Sequence, residues 1–329
     1  MRIAGGVATL RGVLIANCHS LFEGAGAIEL MGQWSIEIME ESGGKPSSLK
    51  MEDSVITNCT SQPGAGAIAA SGQSIVTLLR TAIMHCRAIR PGTGFGGGLV
   101  IGNGALLTMV NSTIHACHAT ASGGGFYLVE YAAARIHGSS ITACTALVRG
   151  GAVYIMEQSG LEIVASQISS SSSAGEAGAL SVEDGSVVLM MDTRIADCHA
   201  ETKGGGIGIR SSTVTLRASA IVECTAVDAG GLVSLEDGSL TLDKGNYSGG
   251  RSRYGGCLSV SAGSVTAHDS YFAACVAVRE GGALFMQAGL ANLADCIFSS
   301  SASLASGGVF TPLRYISTAA QISVTQTNG

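Results

Sequence analysis

The chain has 329 residues, a net charge of −6 and only 13% charged side chains with no Lys/Arg cluster, which excludes a surface built to neutralise nucleic-acid phosphates. Glycine is abundant at 47 residues, proline scarce at 4, and mean hydropathy is +0.38, yet the apolar residues lie in short alternating runs. No window reaches the ~18 uninterrupted apolar residues of a membrane helix, so no transmembrane segment is expected in this chain.

The amino-terminal stretch MRIAGGVATLRGVLIANC lacks the apolar centre and small-residue cleavage site of a signal peptide. It reads as the second half of a repeat whose full form is GGGIGIRSSTVTLRASAIVEC, from Gly204 to Cys224. Ile15 and Cys18 take the places of Ile221 and Cys224. Further along, glycine-led starts fall at Ala25, Ala65, Gly96, Gly123, Gly150, Ala177, Gly204, Gly230, Gly255, Gly281 and Gly307. From Gly96 onward the step is 25 to 27 residues. Self-similarity at such a period marks a solenoid. The first two steps are longer, 40 and 31, and insertions at residues 39–50 and 87–95 account for them. Both carry Pro and Gly, as exposed loops do.

Each unit shows three short strands. The first follows the glycines, as in Leu99/Ile101, Phe126/Leu128 and Ile207/Ile209. The second lies mid-unit, as in Leu107/Met109, Val188/Met190 and Val214/Leu216. The third centres on Ile114, Ile141, Ile168, Ile195, Ile221 or Phe272. Period-2 alternation puts these residues on one face, and no window carries a helical period. Three strands and three bends return the chain to its start. An all-β, single-stranded parallel β-helix of about eleven turns is expected, with turns stacked about 4.8 Å apart. The crossover rule makes it right-handed. The bends before the third strand carry Asp53-Ser54, Asn111-Ser112, Asp192-Thr193 and Asp269-Ser270, side chains that cap their own turns. The last start, at Gly307, is followed by little sequence, and neither end carries a polar cap. One β-helix domain over residues 1–329, cut from a longer protein, is therefore expected.

Eight cysteines occupy one equivalent position: Cys18, Cys59, Cys86, Cys117, Cys144, Cys198, Cys224 and Cys275. Ser171, Gly250 and Ser301 fill the gaps. Three readings are open. The column fills a tight inward corner with small apolar side chains, or neighbouring turns are bridged by disulfides, or the thiols ligate metal. A straight column lacks the short spacing and tetrahedral arrangement of a zinc site. Cys257 and Cys296 lie off the column and are read as core.

Glu130, Glu157, Glu183, Asp184, Glu236 and Asp237 follow the first strands and form an acidic stripe interrupted by Arg210. Carboxyls about 5 Å apart would suit a retaining glycosidase pair. The stripe could also contact Ca2+ or a glycan, or be a solvated edge with good turn chemistry. No cofactor is assigned. The histidines, His19, His85, His115, His118, His137, His199 and His268, are scattered. Three of them follow a column cysteine and so point outward. Sequons stand at Asn58, Asn111 and Asn246.

GGAV at Gly150, GGAL at Gly281, AGAI at Ala25 and Ala65, and AGAL at Ala177 resemble the GGAI repeat of the polymorphic outer-membrane proteins. ITAC at Ile141, IADC at Ile195 and FAAC at Phe272 resemble their companion FxxN repeat, with Cys in place of Asn. The wider relatives are right-handed β-helices of the pectin-lyase-like class. The family's carboxyl-terminal barrel has no counterpart here. The resemblance implies a non-enzymatic stalk or passenger, secreted or at the cell surface, that contacts a surface protein or glycan. The alternative is a polysaccharide lyase or glycoside hydrolase on the same fold, although the clustered Asp ligands of such lyases are not found.

Overall fold

A computed structural model describes residues 1–21, 24–31, 46–62, 64–305, 308–312 and 321–325. The chain divides into two compact units, Met1–Gln167 and Ile168–Gly329, each a parallel β-solenoid. Among the described residues the first and second strands of the turn recur twelve times and the third and fourth eleven times, giving about eleven turns. No described helix is long and apolar enough to cross a membrane.

One turn shows how the sequence builds the unit. Its strands are Ile207–Ile209, Ser212–Arg217, Ala220–Val222 and Thr225–Ala226. Each pairs in parallel with the equivalent strand one turn on: Ile207 with Val233, Val214 with Leu240, Ile221 with Tyr247 and Thr225 with Arg251. The turn therefore has four strands rather than three. The fourth, just after the cysteine, is two residues long and too short to show alternation. Residues 1–167 follow the same plan, with Leu99 on Phe126, Leu107 on Ala134 and Ile114 on Ile141.

The inward side chains are those the alternation named. Leu99, Ile101, Phe126, Leu128, Ile207, Val214, Leu216 and Phe272 are all buried. Each such side chain contributes about 1.5–3 kcal/mol before chain entropy is subtracted. Alternation did not show that the first strand is buried on both faces in most turns. The glycine-led loop folds back over its outer side, so Tyr127, Tyr154, Ser181 and Ser234 are also buried. Gly204 begins that fold with φ +67, and a Cβ there would lie 2.5 Å from the carbonyl of Ile207. A Cβ on Gly205 would collide with the carbonyl of Gly231 in the next turn. Thus the first glycine supplies conformation and the second supplies clearance.

The two insertions are smaller than expected. Ser48–Glu52 is a second strand and Arg87–Ala88 a fourth strand, both paired in register. Residues 39–45 and Gly307 lie outside the described residues. What remains of the second insertion carries Phe95, whose ring stacks 4.8 Å from Tyr127, which in turn stacks 5.2 Å from Tyr154.

The expected capping at the second bend extends between turns. Ser112 Oγ donates to the carbonyl of Val110 at 2.9 Å, and the Ser112 amide donates to Ser139 Oγ at 3.0 Å. Ser139 repeats the pattern with His137 and Ser166. A hydroxyl in each turn thus satisfies an amide in the turn before. Ser139→Ala leaves the buried Ser112 amide without its acceptor. It is expected to cost about 1–3 kcal/mol in urea unfolding, against under about 0.5 kcal/mol for the exposed Arg135→Ala.

Candidate functional site

Register splits the acidic stripe into two columns. Glu130, Glu157, Asp184 and Asp237 sit at the bend after the first strand and are exposed. The first three have φ near +55. Glu130 accepts from Asn103 Nδ2, and Asp237 accepts from the Gly238 amide at 2.8 Å and Ser211 Oγ at 3.4 Å. These contacts belong to the bend. Glu183 and Glu236 stand one position earlier, with Arg210 on the turn between them.

Around Arg210 the structure gathers groups that the stripe did not include. Glu176 and Lys203 come from the loops that fold over the first strands. Arg210 Nε lies 2.7 Å from Glu236 Oε2, its Nη2 lies 3.0 Å from Glu176 Oε2, and its Nη1 lies 3.7 Å from Glu183 Oε2. Lys203 Nζ lies 2.7 Å from Glu236 Oε1. The Glu183 side chain is only 6% exposed and accepts from Ser181 Oγ at 3.0 Å. The floor is Ser181, Gly208 and Ser234, small residues where residues 1–167 carry Tyr127 and Tyr154. The notch this leaves is about 10 Å³, room for roughly one water.

The electrostatics follow from this geometry. Burial pushes the Glu236 carboxyl up, but hydrogen bonds from Lys203 and Arg210 outweigh it and hold the group below the ordinary glutamate range. Burial pulls the Arg210 guanidinium down, and its bond to Glu236 with the charges of Glu176 and Glu183 carries it above its usual value. Two cations therefore neutralise two of three carboxylates and clamp the covering loops to the sheet. A general acid or base must reach its substrate proton, and here the carboxylates are turned to Arg210 and Lys203. Sequence pattern missed Glu176 and Lys203 because they lie in loops without period, 7 residues before Glu183 and Arg210 respectively.

The cysteine column stands at the corner between third and fourth strands and points inward. Each thiol donates to the carbonyl two residues back, at 3.4 Å in Cys59, 3.3 Å in Cys86, 3.5 Å in Cys117, 3.4 Å in Cys144, 3.2 Å in Cys198 and 3.4 Å in Cys224. Cys18 does so at 3.7 Å, and Ser171 and Ser301 substitute with hydroxyls. The position therefore wants a small donor. Successive thiols also influence one another along the column. The bond to Cys117, ahead of burial, pushes Cys86 up to about 12, and the bonds Cys59–Cys86, Cys117–Cys144 and Cys198–Cys224 likewise push Cys59, Cys117 and Cys224 up. Such thiols stay protonated and are poor nucleophiles and ligands.

Cys275 departs from this pattern. It forms a disulfide with Cys257, 18 residues earlier, at a Cα separation of 5.2 Å. Cys257 is thus a partner to the column rather than plain core, and the bridge spans one turn instead of joining two. Elsewhere alanine or glycine mostly holds the position of Cys257, with Leu232 one turn before it. A Cβ on Gly98, Gly125 or Gly206 would lie 3.5, 3.4 or 3.7 Å from the sulfur of Cys117, Cys144 or Cys224. Cys296 belongs to the serine ladder of the second bend, donating to the carbonyl of Ala294 at 3.3 Å.

The outward histidines behave as expected. His118 Nδ1 lies 2.8 Å from Thr145 Oγ1 and His199 Nδ1 lies 2.8 Å from Thr225 Oγ1, each one turn on.

Stacked parallel turns, inward aliphatic columns and a glycine-led corner define a parallel β-helix. The profile of the right-handed β-helix region matches residues 8–177 and again 66–236, well over half of the chain. The chain belongs to the right-handed β-helix family. Searches among curated proteins and among solved structures find no match.

Two outcomes test this description. Alkylation in denaturant should label eight thiols without reductant and ten after reduction. Ten labelled without reductant would remove the Cys257–Cys275 bridge. Arg210→Met should cost about 2–3 kcal/mol at pH 7, between the limits for exposed and fully buried pairs. The depressed Glu236 contributes stability that is present above the unfolded glutamate pKa of about 4.3 and lost as pH falls through its folded value. In Lys203→Met the folded value rises toward the unfolded one, so the acid loss should be smaller and complete at higher pH, as urea midpoints between pH 7 and pH 3 would show.

Proposed function

We propose that this chain is a non-enzymatic stalk or passenger, secreted or displayed at a cell surface, whose flat strand faces contact glycans or a surface protein. The observation that carries this reading is a pair of adjacent charge-free columns on the second strands of residues 168–329, beside an outward column that holds Arg217, Asp243 and His268. Thr213, Ser239 and Ser264 form one outward column, and Thr215, Thr241, Thr266 and Asn292 the next. Hydroxyl and amide groups repeat at the inter-turn spacing of about 4.8 Å, donors and acceptors suited to sugar hydroxyls. The resemblance to the GGAI and FxxN repeats of the polymorphic outer-membrane proteins supports the same reading. So does the exposure of all three sequon asparagines, Asn58, Asn111 and Asn246.

A second reading, a carbohydrate-active enzyme, is favoured by a cleft of about 180 Å³ in residues 1–167. Arg135, His137 and Glu162 line it beside Val110 and Val164, and Arg135 Nε lies 3.7 Å from Glu162 Oε2.

Surface biotinylation of intact source cells and a glycan array with the purified chain test the proposal. Surface labelling is expected. Glycan binding is expected to fall at least about tenfold in the Thr215→Val/Thr241→Val/Thr266→Val variant, with circular dichroism unchanged. An unlabelled protein, or binding untouched by the triple change, would overturn it. Polysaccharide cleavage abolished by Glu162→Gln would establish the second reading instead.

A further inference from the structure

From the corner between the third and fourth strands of residues 1–167 we infer a binding surface for a sulfated glycan, carried by Arg87, His115 and His118. It rests on the glycan-contact reading above and puts a contact on a second face. Residues 54–129 hold no Asp or Glu, in a chain whose net charge is −6, yet contain Arg80, Arg87, Arg90, His85, His115 and His118. His85, Arg87, His115 and His118 meet on the outside of the cysteine corner. Cys86 and Ala88 are buried, so alternation turns Arg87 outward, where it is exposed. Arg87 pairs with Thr60 on one side and His118 on the other, and His118 pairs with Thr145. His115 ends the third strand, Thr113–His115, of the same turn as His118.

The rings are held in place. His115 Nδ1 lies 2.9 Å from Thr142 Oγ1, matching the His118–Thr145 contact at 2.8 Å. With Nδ1 engaged, Nε2 is the nitrogen left on each ring for a ligand. The His85 ring meets the His115 ring edge-on, with centroids 5.6 Å apart. Arg87 and Arg90 are exposed and form no ion pair among the described residues. Arg90 opens the inserted loop after the fourth strand, where its carbonyl accepts from Thr120 Oγ1 at 2.7 Å. The loop therefore flanks the same face, and such insertions often build the binding side of a solenoid.

One sign of charge faces the two imidazoles. His85 and Arg87 lie on the turn before them, and Thr142 and Thr145 on the turn after. At the second bend Arg80 already holds Asp53, with Nε 2.6 Å from Oδ1. Behind the rings, the Cys86 and Cys117 thiols are pushed up and stay protonated. Burial, and then the charge of Arg87, hold the His118 imidazole below its ordinary value. An anion at Arg87 offsets that charge, so anion binding and protonation of His118 favour each other.

The chemistry of the face selects the ligand. Cations and hydroxyls alternate along one column at the inter-turn spacing of about 4.8 Å, which suits a polymer that carries both anions and hydroxyls. Both edges of the two-residue fourth strand at Arg87 are paired to neighbouring turns, so an acidic peptide has no free edge on which to add as a strand. Between pH 7.5 and 5.5 the imidazoles gain charge. A phosphate monoester, with a second pKa of about 6, loses charge over that range, whereas a sulfate ester keeps its own.

The test is binding of the full chain to immobilised dextran sulfate, with unsulfated dextran and poly-L-glutamate as comparison surfaces. Binding to dextran sulfate is expected, at least about fivefold tighter at pH 5.5 than at pH 7.5 and weakened by added salt. Arg87→Gln/His118→Gln should lower the affinity at least about tenfold at pH 5.5. His115→Gln/His118→Gln should remove most of the gain at low pH. Arg279→Gln, an exposed arginine of residues 168–329, should leave binding unchanged. No binding to dextran sulfate, equal binding to dextran, tighter binding to poly-L-glutamate, or full affinity in Arg87→Gln/His118→Gln would each overturn the assignment. The Thr215→Val/Thr241→Val/Thr266→Val variant reports on the second-strand face alone, so failure there and failure here are read separately. Circular dichroism of each variant at both pH values separates loss of the surface from loss of the fold.

Discussion

Hydrogen bonding between a bend and its equivalent one turn away is the constraint on which the rest of this structure depends. The amides of Asn58, His85 and Ala116, all residues with positive φ, donate to the carbonyls of Met84, His115 and Thr142 at 3.1, 3.0 and 2.9 Å. A bend buried in a stack has no water to satisfy it, so each amide must find its acceptor in the adjacent turn. That fixes the repeat within each unit, because a one-residue slip would turn every side chain to the opposite face. It also places one side chain above another in columns, and each column then acquires the chemistry its corner permits. Serine and threonine hydroxyls serve the second bend, and thiols serve the third.

Within this frame, variation is confined to the outer face and to the loops that cover the first strand. Residues 1–167 fill that cover with Phe95, Tyr127 and Tyr154. Residues 176–236 fill it with Glu176, Lys203, Arg210 and Glu236 over Ser181, Gly208 and Ser234, and the aromatic form returns where Tyr254 lies 5.0 Å from Phe285. The two solutions answer the same geometric need. An aromatic stack works through apolar area, whereas the ion-pair group depends on Arg210 lying between three carboxylates and loses strength as they protonate. The Cys257–Cys275 bridge is a third local solution, made where the alanine or glycine that mostly faces the thiol column is replaced by cysteine.

Much of the fold was legible in the sequence because a solenoid repeats its evidence. Val214, Leu216 and Ile221 each have counterparts turn after turn, and all three are buried as their alternation required. The fourth strand, Thr225–Ala226, was not legible because two residues carry no period. Nor was the doubly buried first strand, since the loop that covers it has no pattern of its own. The acidic stripe was legible as a row but not as two columns. A one-residue offset between Glu183 and Asp184 separates a carboxylate held by Arg210 from one at an exposed bend, and only register reveals it. Cys257 looked like ordinary core because its relation to Cys275 lies across a corner rather than along the column.

Amide hydrogen exchange at the second bend tests the central constraint most directly. The amides of Thr81, Ser112, Ser139 and Thr193 donate to hydroxyls one turn away, at 3.1, 3.0, 3.1 and 3.2 Å. If columns of inter-turn hydrogen bonds hold the turns together, these four should exchange as slowly as the central amides of the flanking strands. Exchange at the rate of an open loop, with the strands still protected, would contradict the account. The bends would then be passive connections, with the strands alone holding the stack.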